Sequence, residues 1–96
     1  MGIDQLLTTK RQEMLRLAAK HGAHNVRVFG SVARGEAGPY GDVDFLIDAG
    51  PKRTAFFPEG LLADLEELLG CNVDVVTEKA LHPSIREPVL HEAIPL

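Results

Sequence analysis

The sequence predicts a small α/β (α+β) domain in which three short strands alternate with helices in the order αβαβαβα. Three runs, Asn25 to Phe29, Asp42 to Ile47 and Asn72 to Thr77, have the length and side-chain pattern of strands. Segments before, between and after them carry apolar residues at helical spacing. Gly and Pro separate these segments, and no long polar linker divides the chain. Residues 1–96 are therefore expected to form one domain.

The first helix is expected from about Asp4 to His21. Its apolar residues fall at helical spacing: Leu7, Met14, Leu15, Ala18 and Ala19. Lys20 and His21 followed by Gly22 are typical of a helix end, because cations suit the C-terminus and Gly suits the left-handed residue after it. His21 and His24 are interpreted as polar surface residues without a role of their own.

The first strand ends at a Gly-Ser pair that opens the segment Gly30 to Glu36, which reads Gly-Ser-Val-Ala-Arg-Gly-Glu. A short turn of helix that ends by Gly35 is expected here. Gly30 allows a backbone or a phosphate to approach closely, and Ser31 would lie where helix amide groups point outward. This is anion-binding geometry. Residues 37–41 are rich in breakers and predict a loop.

The second strand carries carboxylates on one face. Side chains of a strand alternate, so Val43, Phe45 and Ile47 share one face while Asp42 and Asp44 share the other, with Leu46 and Asp48. Such a pair repels unless a cation neutralises it, and oxygen ligands suit magnesium or manganese. The alternative is that the two carboxylates merely decorate an exposed strand of an ordinary α/β domain.

The third strand repeats this pattern, with Val73 and Val75 on one side and Asp74 on the other. Asp74 is thus a third carboxylate in an apolar strand. Alternatively, it lies on a solvent face or pairs with an arginine.

The remaining segments are a loop and two helices. The loop from Ala49 to Phe57 contains Lys52 and Arg53, which either contact a triphosphate or are simply solvated. Pro58 is well placed to begin a leucine-striped helix that ends at Gly70. The last helix follows His82-Pro83, and Pro88 predicts a kink or a break in it. The tail from Ile94 to Leu96 packs on its own domain or on a partner.

The bulk composition excludes several classes of protein. A formal net charge of -4 argues against broad binding to nucleic-acid phosphates, although a small nucleotide held by a metal is compatible with it. The single cysteine, Cys71, excludes an internal disulfide and a multi-cysteine zinc site. No apolar run is long enough to span a membrane and no signal peptide is recognisable, so a cytoplasmic protein is expected.

Together these residues provide the groups needed for nucleotidyl transfer with loss of pyrophosphate. Asp42 and Asp44 would hold one or two magnesium ions, and Asp74 would complete the second metal site or accept a proton from the attacking hydroxyl. Ser31 and the amides after Gly30 would bind the β- and γ-phosphates. Arg34 would add positive charge at the leaving pyrophosphate.

The order and spacing of these motifs resemble the MNT-type minimal nucleotidyltransferases of the DNA polymerase β-like superfamily. The likeness rests on the segments 30–36, 42–47 and 73–76 and on the ending Pro-x-Ile-Arg-x-x-Val-Leu-x-Glu-Ala. It implies a mixed sheet flanked by helices, with Asp42, Asp44 and Asp74 as the metal-binding triad. One departure is Gly41, where the family often has Ser.

The resemblance also implies a biological setting. Such proteins are prokaryotic antitoxins that are understood to neutralise a HEPN-domain ribonuclease toxin by transferring AMP from ATP to a tyrosine of the toxin. Since the chain has little room for an acceptor-binding domain, its acceptor is expected on a partner's surface. Two alternatives are open: a non-catalytic module that blocks its partner by contact, and an enzyme acting on an RNA end or a small molecule.

Overall fold

In a computed structural model, the chain is described over residues 3–36, 42–51, 55 and 57–96. Its elements are, in chain order, α1 (Ile3–Thr9), α2 (Arg11–Lys20), β1 (Ala23–Phe29), β2 (Val43–Ala49), α3 (Glu59–Leu69), β3 (Val73–Thr77), a 3-10 turn (Glu78–Ala80), α4 (Pro83–Glu92) and β4 (Ile94–Pro95). None of the described helices is long and apolar enough to cross a membrane.

The sheet has four strands in the order β3-β2-β1-β4. Strand β2 pairs parallel with β3 and antiparallel with β1, so the expected mixed sheet is confirmed. The strand count was wrong, because the C-terminal tail forms a fourth strand. Ile94 lies opposite Val28, and the Leu96 amide donates to the Val26 carbonyl at 3.0 Å. The tail therefore packs on its own domain, at the edge of the sheet.

The predicted element order was also wrong between the first two strands. The segment from Gly30 to Gly35 forms consecutive hydrogen-bonded turns and no helix. Gly30 and Gly35 both have positive φ angles, 75° and 71°, which interrupt helical geometry at each end of the segment. The predicted loop at 37–41 lies outside the described residues. Strand β3, by contrast, follows β2 through α3, the crossover that parallel neighbours need.

The N-terminal segment is two helices where one was predicted. Lys10 lies between them at the N-cap position of α2, without a capping hydrogen bond from its side chain, while the Thr9 hydroxyl donates back to the Gln5 carbonyl at 2.8 Å. Thr is a weak helix former, and its hydroxyl offers the backbone a local alternative, which explains an interruption without Gly or Pro. Helix α2 ends one residue before His21, and Gly22 has the expected left-handed φ of 84°.

Strand β2 lies at the centre and is buried on both faces. Val43, Phe45 and Ile47 have no exposed surface and belong to the main core, which α2 and α3 cover from one side. On the opposite face, Leu46 forms a small second core with Leu81 and Val89. The alternation read from the sequence is confirmed, and the carboxylates share the face on which α4 packs.

Both predicted boundaries of α3 are confirmed, whereas the break considered at Pro88 in α4 is absent. Pro58 precedes α3, and Gly70 ends it with a φ of 69°. Pro88 lies inside α4, which continues from Pro83 to Glu92 without a break. Pro88 is exposed, and because it has no N–H, the helix lacks the hydrogen bond from this position to the Ser84 carbonyl.

Candidate active site

Two of the predicted carboxylates are direct neighbours in the sheet. Asp44 of β2 lies opposite Asp74 of β3 in the parallel register, on the same face. Partner residues on adjacent strands have backbones about 5 Å apart. Asp42, two residues before Asp44, lies just outside β2 and is exposed, as is Asp74. The sequence thus identified residues that the fold brings together, at the start of two parallel strands.

The electrostatics of Asp44 show how little compensates this group of charges. Burial raises the pKa of the Asp44 carboxyl above its ordinary value, and the negative charges of Asp74, Asp42 and Glu92 raise it further. Only Arg34 acts in the opposite direction. Asp74 is solvent-exposed and has no arginine partner among the residues described. Among the described residues, the charges that raise the pKa of Asp44 therefore outnumber the single one that lowers it.

Gly30, at the end of β1, lies against the Asp44 carboxylate. A Cβ atom at this position would overlap Asp44 Oδ2, and the backbone has a positive φ. Both facts favour glycine, because a side chain would displace the carboxylate and strain the turn. Gly30 therefore allows the backbone turn to approach Asp44 closely.

The turn after Gly30 presents unused backbone donors. The amides of Arg34, Gly35 and Glu36 bond to the carbonyls of Gly30, Val32 and Ser31. The amides at positions 31–33 and the Ser31 hydroxyl have no hydrogen-bond partner in the described part of the chain. Consecutive unpaired amides in a turn are groups that can bind an anion. No helix follows Gly30, and the phosphate-binding role of Gly30 and Ser31 stays a prediction.

Arg34 links this turn to the end of α4. Its Nε donates to Glu36 Oε2 at 3.0 Å and its Nη1 donates to Glu92 Oε1. Glu92 Oε2 in turn accepts a hydrogen bond of 2.7 Å from the Gly30 amide. The Arg34 and Gly30 bonds hold the pKa of Glu92 below its ordinary value, and the same carboxylates raise the pKa of Arg34. Both groups are thus charged at neutral pH.

The donor chemistry around Asp44 fits a hard divalent cation. The available ligands are carboxylate oxygens, and their mutual repulsion is what a cation would relieve. Within the described residues, however, no three His, Cys, Asp or Glu side chains form a preformed metal-binding group. The metal role of Asp42, Asp44 and Asp74 accordingly stays a prediction. Gly41, Lys52 and Arg53 lie outside the described residues.

Comparison with known proteins decides the family. The model of the nucleotidyltransferase domain matches residues 11–96, which is most of the chain and includes every candidate site residue. The chain belongs to the nucleotidyltransferase domain family. The resemblance drawn from the sequence is confirmed, and with it the expectation of an enzyme that transfers nucleotidyl groups.

Relatives of this nucleotidyltransferase agree with that assignment. A protein of Thermococcus cleftensis named protein adenylyltransferase MntA is 37% identical over 94 residues, which cover 96% of this chain and 90% of the relative. A solved structure classed as a minimal nucleotidyltransferase is 49% identical, with a TM-score of 0.86, and covers 100% of this chain and 97% of its own. The minimal nucleotidyltransferase fold is thereby shown.

A more distant match is the crystal structure of a toxin-antitoxin with AMP-PNP. It covers 88% of this nucleotidyltransferase and 69% of the other chain, with a TM-score of 0.73 and 17% identity. At this identity the match supports the fold alone.

Two residues have structural roles that the sequence did not reveal. Glu92 was part of the C-terminal motif behind the resemblance but received no role of its own, since a glutamate at a helix end has no distinctive pattern. His21 was wrongly interpreted as a surface residue: it is 8% exposed, and its Nε2 lies 2.7 Å from Asp64 Oδ2. The pair joins α2 to α3 and holds the pKa of Asp64 down.

Proposed function

We propose that this nucleotidyltransferase is a magnesium-dependent protein adenylyltransferase. It transfers AMP from ATP to a hydroxyl of a partner protein, a tyrosine of a HEPN ribonuclease toxin, and thereby acts as an antitoxin in the cytoplasm. The observation that carries the proposal is the register of Asp44 with Asp74 beside the Gly30 turn. The relative named protein adenylyltransferase MntA supports transfer of an adenylyl group to a protein, and ATP is the donor that the family resemblance implies.

In the proposed reaction, the partner's hydroxyl attacks the α-phosphorus of ATP and pyrophosphate leaves. Asp42, Asp44 and Asp74 would hold Mg²⁺, which stabilises negative charge on the phosphates and on the attacking and leaving oxygens. The amides after Gly30 and the Ser31 hydroxyl bind the β- and γ-phosphates, and Arg34 adds charge at the leaving group. A carboxylate of the group accepts the proton of the attacking hydroxyl.

The acceptor is supplied by the partner. Asp42 and Asp74 are exposed, so the group of carboxylates is accessible to the surface of a partner protein.

The test is labelling of a lysate of the source cells with α-labelled ATP and magnesium. Wild-type protein is compared with Asp42→Asn/Asp44→Asn and with Glu13→Gln/Glu67→Gln, an exposed pair on α2 and α3 that removes the same charge. A discrete protein band that requires Asp42 and Asp44 but not the control pair supports the proposal. Label in RNA or in a small molecule contradicts the protein acceptor. Toxin neutralisation by the Asp42/Asp44 variant, without label from wild type, supports a module that acts by contact alone.

A further inference from the structure

Glu92, the last residue of α4, bridges the two phosphate-binding groups of the proposed site. Each of its oxygens has one partner: Oε2 accepts from the Gly30 amide at 2.7 Å, and Oε1 accepts from Arg34 Nη1. Its side chain is 22% exposed, so solvent reaches it only in part. One carboxylate thereby connects the Gly30 amide, in the turn that lies against Asp44, with the Arg34 guanidinium.

The backbone holds Glu92 in place from both sides. On one side, Val89 is buried in the small core under α4. The amide of Ala93, the residue after Glu92, donates to the Val89 carbonyl at 2.9 Å. Two residues after Glu92, Ile94 pairs with Val28 in β1, the strand that leads to Gly30. The carboxylate is therefore anchored to the strand whose end it contacts.

Arg34 depends on this anchor. It is half-exposed, and its Nε already serves Glu36, a residue of the same turn. Glu92 is the only described partner of Arg34 that comes from a different element. With Nε and Nη1 engaged, Nη2 has no hydrogen-bond partner within the described residues. A guanidinium fixed on two sides keeps donors available for a phosphate.

We propose that Glu92 is a positioning residue for nucleotidyl transfer: it holds the Gly30 turn and orients Arg34 toward the leaving phosphates. This assignment rests on the proposed function, since it concerns the same site. In this assignment Glu92 acts through its hydrogen bonds to Gly30 and Arg34. The C-terminal segment α4–β4 is thus part of the active-site framework as well as of the fold.

The test compares Glu92→Gln and Glu92→Ala with Glu87→Gln, a control on the same helix. Glu87 is 82% exposed, and its described ionic neighbour is His91 at 4.0 Å. Glutamine offers a single oxygen, so one of the two bonds is lost in Glu92→Gln, and alanine loses both. Steady-state AMP transfer to the purified partner gives kcat and the KM for ATP, while thermal melting gives the folded fraction.

The expected result for Glu92→Gln is a kcat about tenfold lower with the KM for ATP changed less than about threefold, because Arg34 acts on charge that develops at the leaving group. The melting temperature should match that of Glu87→Gln, and Glu92→Ala should lose more activity. A lower kcat at a nearly constant KM for ATP distinguishes a positioning role from a merely structural one. A merely structural role would lower the melting temperature and leave kcat per folded molecule unchanged.

Three results would overturn the assignment. The first is a kcat for Glu92→Gln that equals those of Glu87→Gln and of wild type. In that case the assignment of Glu92 fails and the proposed function is unaffected. The second is a lower KM with unchanged kcat, because Glu92 would then compete with the phosphates for Gly30 and Arg34. The third is no AMP transfer by wild-type protein to the purified partner, in which case the proposed function fails and the assignment fails with it.

Discussion

At the scale of single residues, the site depends on the absence of a side chain at Gly30. Gly30 combines a positive φ with the close approach of the Asp44 carboxylate, whereas Gly35 has a similar φ and, among the described residues, no atom within 4 Å of a Cβ. The two glycines lie at opposite ends of the same turn. Comparing substitutions at the two positions therefore separates the effect of backbone strain from the effect of contact with the site.

Gly30→Ala and Gly35→Ala should destabilise the protein by a similar amount, about 1–2 kcal/mol each, because both force a side chain into the left-handed region. Only Gly30→Ala should lose AMP transfer, by about tenfold or more, since the displaced group is the mobile end of Asp44. Urea unfolding and a transfer assay on both variants check this. Equal activity of the two variants would contradict the placement of Asp44.

Asp44 should make the fold less stable when it ionises. Its pKa is raised above 3.8 in the folded protein, so the folded state binds this proton more tightly than the unfolded chain does. The stability cost develops as pH rises from the unfolded pKa through the folded one and is complete above the folded pKa. Asp44→Asn removes it.

Asp44→Asn should therefore be more stable than wild type at about pH 7, and the advantage should disappear at about pH 3, where both states are protonated. Free energies of unfolding measured across this range decide the matter, with Glu13→Gln as an exposed control of the same charge change. A variant that is less stable than wild type at neutral pH would show that Asp44 is compensated.

At the scale of elements, the strands were predictable and the connections were not. The alternation of apolar and acidic residues in β2 and β3 identified both faces of the sheet, because a period of two is a local property. The break at Lys10 and the missing helix after Gly30 depend on backbone angles that composition does not determine. The pairing of Ile94 with Val28 joins positions far apart in the chain, so no local pattern could reveal β4.

Packing between elements explains the misinterpretation of His21. A histidine after a helix has the sequence pattern of a surface residue, and its burial arises only when α3 brings Asp64 against it. Gly60 leaves room for the ring, since a Cβ there would lie 3.0 Å from His21 Cε1.

His21→Ala should lower the melting temperature because it removes the bond between α2 and α3 and leaves a gap in packed structure. His24→Ala, at an exposed position three residues later, should have little effect. Neither change should alter AMP transfer per folded molecule, since both residues lie outside the carboxylate group. Thermal melting of the two variants side by side tests this, and equal melting temperatures would contradict the structural role of His21.

At the scale of the whole molecule, one face of the sheet builds the main core, and the other carries the small second core together with the candidate site. The main core lies under α2 and α3, whereas Asp44, Asp74 and Leu46 share the face of α4. The part of the candidate site that lies in distinctive sequence motifs could be predicted from the sequence. Its residues are Gly30, Ser31, Asp42, Asp44 and Asp74. Glu92 could not be predicted, since its role arises from the return of the chain to β1.

The most direct measurement of the central claim is the intact mass of the purified partner after incubation with ATP, magnesium and this protein. Wild type and Glu13→Gln/Glu67→Gln should add whole AMP units to the partner, whereas Asp42→Asn/Asp44→Asn, Asp74→Asn and chelation of the divalent cation should each reduce addition by about a hundredfold or more. An unmodified partner with wild-type protein, or equal modification by the Asp42/Asp44 variant, would contradict the claim that these carboxylates catalyse AMP transfer.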